Sequence, residues 1–312
     1  MRQAFAKSPC KKIGLCAAAI GFFDGLHQGH RKILCRLKIL SRRLKVPSLV
    51  ITFDVHPRIV LGKPFSGYLI TRREKDHLFK SLGVDHVWTL RTSRDLLKAG
   101  GAQFLDLLFS RARIKGLVVG QDFCFGFNRA NDTRHLRKYA RDYGFKLAVV
   151  AQNHLAGSPV SSSRIREALY RADFKLAGRL LGRPYFLEGQ VLRGRGLGRR
   201  LGFPTANIIC PGMSMPPDGV YAAFTVIRGK RYLCAVNISR RLSPVESSPL
   251  IEAHVLKFKG GLRGRLIKIF FLEKVRPEKR FFSHRALSRA IVGDVEKIKL
   301  RGQTSRLETN FG

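Results

Sequence analysis

The spacing of hydrophobic positions changes along this chain. In the first half, short apolar runs alternate with segments whose apolar residues recur every three to four positions. The runs lie at 13–20, 46–53, 86–90, 114–120 and 145–150, and helical spacing fills 31–43, 71–82, 102–112 and 131–142. Strand-length runs separated by helices predict an α/β fold with a mostly parallel sheet covered on both faces. Ligands of such sheets bind beyond the carboxyl ends of the strands. The polar motifs of this half fall at those ends.

Past residue 184 the pattern becomes strand-like, with runs at 185–192, 220–227, 232–238, 251–256 and 266–272. Glycine turns such as Arg228-Gly229-Lys230 and Lys259-Gly260-Gly261 separate them. This predicts a small closed or sandwich-like β domain. A final helical pattern runs over 283–299, and the last dozen residues read as a loose end. Composition shifts at 177–185, so two domains are expected, 1–183 and 184–312.

The first apolar run ends in Gly21-Phe-Phe-Asp-Gly-Leu-His-Gln-Gly-His30, and an amphipathic helix follows. Gly21, Gly25 and Gly29 let backbone approach a ligand or take angles closed to other residues. A helix N-terminus offers free amides and a favourable field to phosphate. His27 and His30, three apart, reach one side of that terminus. Two imidazoles beside a phosphate site point to charge stabilisation during phosphoryl or nucleotidyl transfer. A tight turn with two incidental histidines is the plainer alternative.

Other polar segments follow later strands. In Thr52-Phe-Asp-Val-His-Pro-Arg58, His56 is a phosphate-binding candidate or part of a surface turn. In 119–132, Phe123, Phe125 and Phe127 either pack as a strand or line a planar ligand, with Asp122 and Asn128 as polar contacts. In 159–169 a helix opens at Ser162 and Ser163, whose hydroxyls suit capping. Arg164 lies near its phosphate-friendly end, whereas Arg166 is expected to serve solubility alone. In the second half, 193–207 carries Gly194, Gly196, Gly198 and Gly202 among arginines, a flexible loop able to cradle phosphate. Thr205 and Asn207 offer neutral oxygens to Mg²⁺. Glu252 and His254 share one face of a strand, and a carboxylate there can take a proton from a substrate hydroxyl.

These segments together resemble the bacterial bifunctional riboflavin kinase/FAD synthetase family. The turn at 21–30 is similar to its GxFDGxHxGH signature, so the resemblance adds Phe23 and Asp24 to the nucleotide-binding candidates. Residues 119–126 resemble its flavin-side GxDFxFG segment, 161–166 its SSTxIR motif, and 194–207 its kinase motif GxxxGRxLGFPTAN. The resemblance implies a Rossmann-like FMN adenylyltransferase domain with the histidine turn at the reaction; His27, His30 and, from its place at the helix start, Arg164 are the catalytic candidates. It also implies a β-barrel riboflavin kinase domain with a terminal helix. There Gly194, Gly198, Arg199 and Gly202 would hold phosphates, Thr205 and Asn207 would hold Mg²⁺ and ATP, and Glu252 would be the base. The expected chemistry turns riboflavin into FMN and FMN into FAD, with ATP as co-substrate of both steps. Departures occur at Phe22 (usually Asn), Val55 (Pro), Asn131 (Gly), Ser163 (Thr), 239–244, Lys257 and Arg263.

Charge adds a rival reading. Among 312 residues, Lys and Arg number 59 and Asp and Glu 21, a net charge of +38. The excess covers both halves, so no basic tail is set apart. Such a field attracts nucleotides and nucleic acid alike. The alternatives are therefore a descendant that keeps one activity, or a basic nucleic-acid-binding protein on the same scaffold. The six cysteines form no CxxC pair and sit mainly in apolar segments, predicting a reducing, cytoplasmic setting without disulfides or zinc. The basic start at 1–12 lacks the pattern of a signal peptide. The longest apolar run is too short to cross a membrane, and no obligate protein partner is implied.

Overall fold

The computed structural model describes residues 13–194, 196–240 and 249–304. The basic start, most of the departure at 239–244, and the tail from 305 lie outside the described residues. The chain forms two compact units, one of 1–65 and 72–161, the other of 66–71 and 162–312.

In the first unit β1 (Ile13–Ile20) leads to α1 (Gln28–Leu44), then β2 (Ser48–Phe53) and the short α2 (Pro57–Val60). There follow α3 (Arg72–Ser81), β3 (His86–Leu90), α4 (Arg94–Lys98), α5 (Gly101–Arg111) and β4 (Ala112–Gly120). The unit ends with α6 (Thr133–Asp142), β5 (Lys146–Val150) and a small hairpin of β6 (His154–Leu155) and β7 (Ser158–Pro159). The five main strands pair in parallel in the order β3-β2-β1-β4-β5. Strand order reverses between β1 and β4, and ligands of open α/β sheets bind at such a switch point. The histidine turn leaves the carboxyl end of that central strand.

Packing explains the register. On α1, Leu34, Leu37 and Leu40 are buried at helical spacing. Gly116 on β4 leaves room for them, because a Cβ there would lie 2.8 Å from side-chain carbons of Leu40 and Leu44. The start of β2 is tied to the turn before β3: Asp85 accepts from both the Ser48 amide (2.8 Å) and hydroxyl (2.6 Å). These bonds hold the Asp85 carboxyl below the usual carboxylate range.

The second unit starts from α7 (Ser162–Tyr170) and α8 (Phe174–Leu181). Then come β8 (Phe186–Leu192), α9 (Leu197–Arg200), β9 (Ala206–Ile209), β10 (Gly219–Ile227), β11 (Lys230–Ser239), β12 (Leu250–Val255), β13 (Leu266–Pro277) and α10 (His284–Thr304). The strands close into an antiparallel barrel, β10-β11-β12-β9-β8-β13, so closure leaves no open sheet edge. Phe174 of α8 stacks on Phe271 of β13 at 5.2 Å and meets Tyr221 of β10 edge-on at 5.8 Å. Arg276 of β13 grips Asp294 of α10 through three bonds of 2.8–3.0 Å.

A six-residue strap, 66–71, belongs to this unit although it is flanked in sequence by the first. Tyr68 exchanges backbone bonds with Gly212 and Ser214 (2.8 and 2.7 Å), and the Thr71 hydroxyl donates to Glu188 at 2.8 Å. Gly67 has φ 86°, and a Cβ there would lie 2.6 Å from Met213 backbone. Arg166, expected to serve only solubility, donates from Nε to the Gly67 carbonyl at 2.8 Å. It is a strap anchor.

Candidate active sites

The histidine turn is a strained backbone held in place by packing. Phe23 (φ 55°), Gly25 (φ 75°) and Leu26 (φ 41°) all take positive φ, a region costly for the two with side chains. Gly21 is needed for the Phe23 ring to fold back, since a Cβ there would sit 3.1 Å from it. The buried Phe23 ring meets His30 edge-on at 5.2 Å and Phe79 of α3 at 5.6 Å.

His27 is the N-cap of α1, and its Nδ1 accepts from the His30 amide at 3.3 Å. A neutral ring accepting at Nδ1 carries its proton on Nε2. His27 and His30 stack with ring centroids 3.6 Å apart and planes 16° from parallel. Burial pushes the His30 imidazole well below the usual histidine range, and the charges of His27 and Lys75 act in the same direction. His30 is therefore neutral at pH 7. Its Nδ1 is enclosed and makes no hydrogen bond among the described residues, a costly state that a polar ligand atom would relieve. Gly29 admits the His27 ring, since a Cβ would stand 3.2 Å from its Nδ1 and Cε1. A helix N-terminus and two stacked imidazoles together form a donor set for phosphate.

The remaining candidates of this unit fall in two groups. His56 caps α2, its Nδ1 accepting from the Arg58 amide at 3.2 Å, and stacks on Phe65 at 4.5 Å. Phe22 meets His56 edge-on at 4.8 Å. Asp54 and Val55 are tied to Thr92 after β3, at 2.8 Å each. Past β4 the phenylalanines do not form a strand. Phe125 is buried in the core among Phe104, Phe123 and Tyr139, whereas Asp122 and Asn128 are exposed. Phe125 and Asn131 bridge through their backbones at 2.9 and 3.1 Å. The Asn131 side chain abuts Gly101 and Gly126.

In the second unit, Ser162 and Arg164 are half-buried on the first turn of α7, and Ser163 is exposed. On the barrel, Asn207, Glu252 and Asn237 occupy directly opposed positions on three neighbouring strands, β9, β12 and β11. Burial alternates along β12, with Ile251, Ala253 and Val255 inward, so Glu252 and His254 face outward. The Asn237 amide approaches Glu252 Oε2 at 3.5 Å. His254 Nδ1 lies 2.9 Å from the Pro204 carbonyl, and its ring meets Phe203 edge-on at 5.6 Å.

The described part of the glycine/arginine segment leads from β8 to β9. It contains the single turn α9, with Gly196 and Gly202 at positive φ and the Phe203 amide donating back to Gly198 at 2.7 Å. A Cβ at Gly194 would be 1.8 Å from the Asn207 amide nitrogen, and one at Gly198 would be 3.1 Å from the Thr205 hydroxyl. Those two bare glycines leave a cradle over the two neutral donors. Among the described residues there is no cluster of three or more His, Cys, Asp or Glu for a metal. A hard cation at Thr205 and Asn207 would need phosphate oxygens and water to complete its shell, which suits Mg²⁺ carried with ATP.

Sequence reasoning missed β9, Lys75, Thr52 and the pairing of Asn237 with Glu252. Only the sequence of Lys75 carries a signal: Phe79, one turn later, marks that face of α3 as buried.

Residues 11–164 match the family model described as FAD synthetase, and 181–301 match that of riboflavin kinase. The bifunctional riboflavin kinase/FMN adenylyltransferase of Pseudomonas fluorescens is 37% identical over 282 residues, covering 90% of this chain and 91% of that protein. Its counterpart in Escherichia coli K12 is 35% identical, with coverage of 89% and 90%. The chain belongs to the bifunctional riboflavin kinase/FMN adenylyltransferase family. A Streptococcus pneumoniae protein, crystallised as a macrolide-efflux protein, superposes with a TM-score of 0.80 at 24% identity, covering 94% of this chain and 95% of that one. That likeness concerns the fold alone. The Phe22 ring, where the resemblance leads to an expected Asn, contacts His56 edge-on and has the Lys75 ammonium 5.0 Å from its centroid.

Proposed function

We propose that this protein makes FMN from riboflavin at the barrel, then FAD from FMN at the histidine turn, using one ATP in each step. In the first step Glu252 takes the proton of the ribityl hydroxyl as its oxygen attacks the γ-phosphorus, and ADP leaves. Thr205 and Asn207 would hold Mg²⁺ there, and the metal would neutralise phosphate charge. Gly194, Gly198, Arg199 and Gly202 line the phosphate path. Asn237 orients the Glu252 carboxylate.

In the second step a phosphate oxygen of FMN attacks the α-phosphorus of ATP, and pyrophosphate leaves. His27 donates from Nε2, and His30 and the amides of α1 add to the stabilisation of the charged transition state. Arg164 is the proposed phosphate clamp, with Ser162 and Ser163 beside it. Gly21, Phe23, Asp24, Gly25, Gly29 and His56 shape the nucleotide side, and Asp122, Phe123, Phe125 and Asn128 the flavin side. We place the functional boundary near 183, two residues inside the start of the riboflavin kinase match at 181.

The observation that carries this reading is the in-register row of Asn207, Glu252 and Asn237 on the same chain as the stacked histidine pair. No helix among the described residues is long and apolar enough to cross a membrane, and we place the protein in the cytoplasm, where its substrates and reduced thiols coexist. Its excess charge should bind polyanions without sequence preference, in a manner that falls steeply with salt.

The test is a chromatographic time course of the purified protein with riboflavin, ATP and Mg²⁺. FMN should rise and then give way to FAD. FMN that accumulates without FAD would remove the second assignment. Riboflavin left untouched while added FMN is converted would remove the first.

A further inference from the structure

We propose that Lys75 is a positioning residue for adenylyl transfer, its ammonium bracing from below the turn that carries His27 and His30. This rests on the reading of that turn as the FAD-forming site. Lys75 lies on α3 and is only 8% exposed, unusual for a lysine. Its Nζ donates to the Phe22 carbonyl at 3.4 Å and to the Thr52 hydroxyl at 3.3 Å. Thr52, fully buried at the end of β2, in turn donates to the same Phe22 carbonyl at 3.1 Å. One carbonyl at the start of the turn therefore receives two donors, from two different elements.

One helical turn further along α3, Phe79 supports Phe23. Lys75 and Phe79 thus brace consecutive residues, 22 by hydrogen bond and 23 by packing. Phe23 has positive φ and touches His30. A strained backbone persists only where its surroundings over-determine it, and these two side chains supply that constraint. Burying an ammonium is costly without partners. Around Lys75, Asp24, Asp76 and Asp54 favour its charge, while Arg72 and burial oppose it. The buried Asp24 belongs to the turn itself. A methionine would fill the same space as the lysine stem, so the charged group has a role that packing alone does not require. Its charge also helps to keep His30 neutral.

The test uses the full chain and two variants, Lys75→Met and Thr52→Val. Riboflavin phosphorylation, at the barrel, reports the second unit, and the dispersion of the amide NMR spectrum reports whether the first unit of each variant is folded. The expected result for Lys75→Met is unchanged FMN formation and a roughly ten- to hundredfold lower kcat for FAD formation, with KM for ATP within about twofold. Thr52→Val should shift kcat the same way by less. A nitrogen-resolved NMR titration of the histidines supplies a readout free of turnover. In Lys75→Met, His30 should titrate at higher pH, and His27 should lose the signature of an accepting Nδ1. Wild-type protein that makes no FAD would defeat the functional reading; the titration would still decide the bracing. FAD formation at the wild-type rate in Lys75→Met, or histidine signals unchanged from wild type, would overturn the proposal. So would a loss of FAD formation that only tracks the folded fraction.

Discussion

Gly29 shows how a single hydrogen atom sets the chemistry. His27 caps α1 through Nδ1, and that capping leaves the proton of the neutral ring on Nε2. A methyl at residue 29 would press on this ring from 3.2 Å. The ring would have to give by a few tenths of an ångström, so Gly29→Ala should lower FAD formation by about tenfold, less than the cost of a 1 Å misplacement. Riboflavin phosphorylation should stay at the wild-type rate; parallel assays of both steps check this, and equal loss in both would refute it. Glu252→Gln is the complementary change. It keeps shape and removes the base, so FMN formation should fall about 10²- to 10⁴-fold while added FMN still becomes FAD. At this scale the turn was readable because glycines and histidines at fixed offsets state their own geometry. Lys75 was not. Within Arg72-Arg73-Glu74-Lys75 it looks like one more solvated charge, and only the packing of α3 under the turn buries it.

Elements were read best where they were long and periodic. The five sheet strands and four helices of the first unit lie within a few residues of the expected spans, because a strand buried on both faces writes a continuous apolar run. Most pieces that escaped are short, although the eight-residue α8, beside the expected domain boundary, escaped as well. The helices α2, α4 and α9 have five residues or fewer, too few to show a period. β9 has four residues and follows directly on the glycine/arginine segment, so Asn207 looked like loop. Its strand pairing with β12 aligns it with Glu252. Element docking also invites a test. Arg276 and Asp294 join β13 to α10, and their side chains are only 17% and 8% exposed. Asp294→Ala would strand a buried guanidinium and should cost about 3–5 kcal/mol. Denaturant unfolding should show a lower midpoint with little change of slope. A shift under about 0.5 kcal/mol, the range of a surface substitution, would show that the pair is solvated.

For the whole molecule, a net charge of +38 means that the folded chain repels itself. Raising ionic strength from about 0.01 to 0.15 M shortens the screening length from about 30 to 8 Å. The thermal midpoint should rise over that range in NaCl, as differential scanning fluorimetry would read. A flat or falling midpoint would show that local ion pairs outweigh the net repulsion. Fold class, the long strands and helices, and the candidate residues of both sites were legible in the sequence alone. Local periodicity and motif spacing are short-range properties, and a linear chain displays them directly. Register, closure and burial are long-range. Only the tertiary structure decided that 66–71 packs with the barrel, that Asn237, Glu252 and Asn207 stand in one row, and that Lys75 donates to the Phe22 carbonyl at the start of the histidine turn. Each of these depends on segments distant in sequence meeting in space, where hydrogen bonds and excluded volume, rather than local pattern, select the partner.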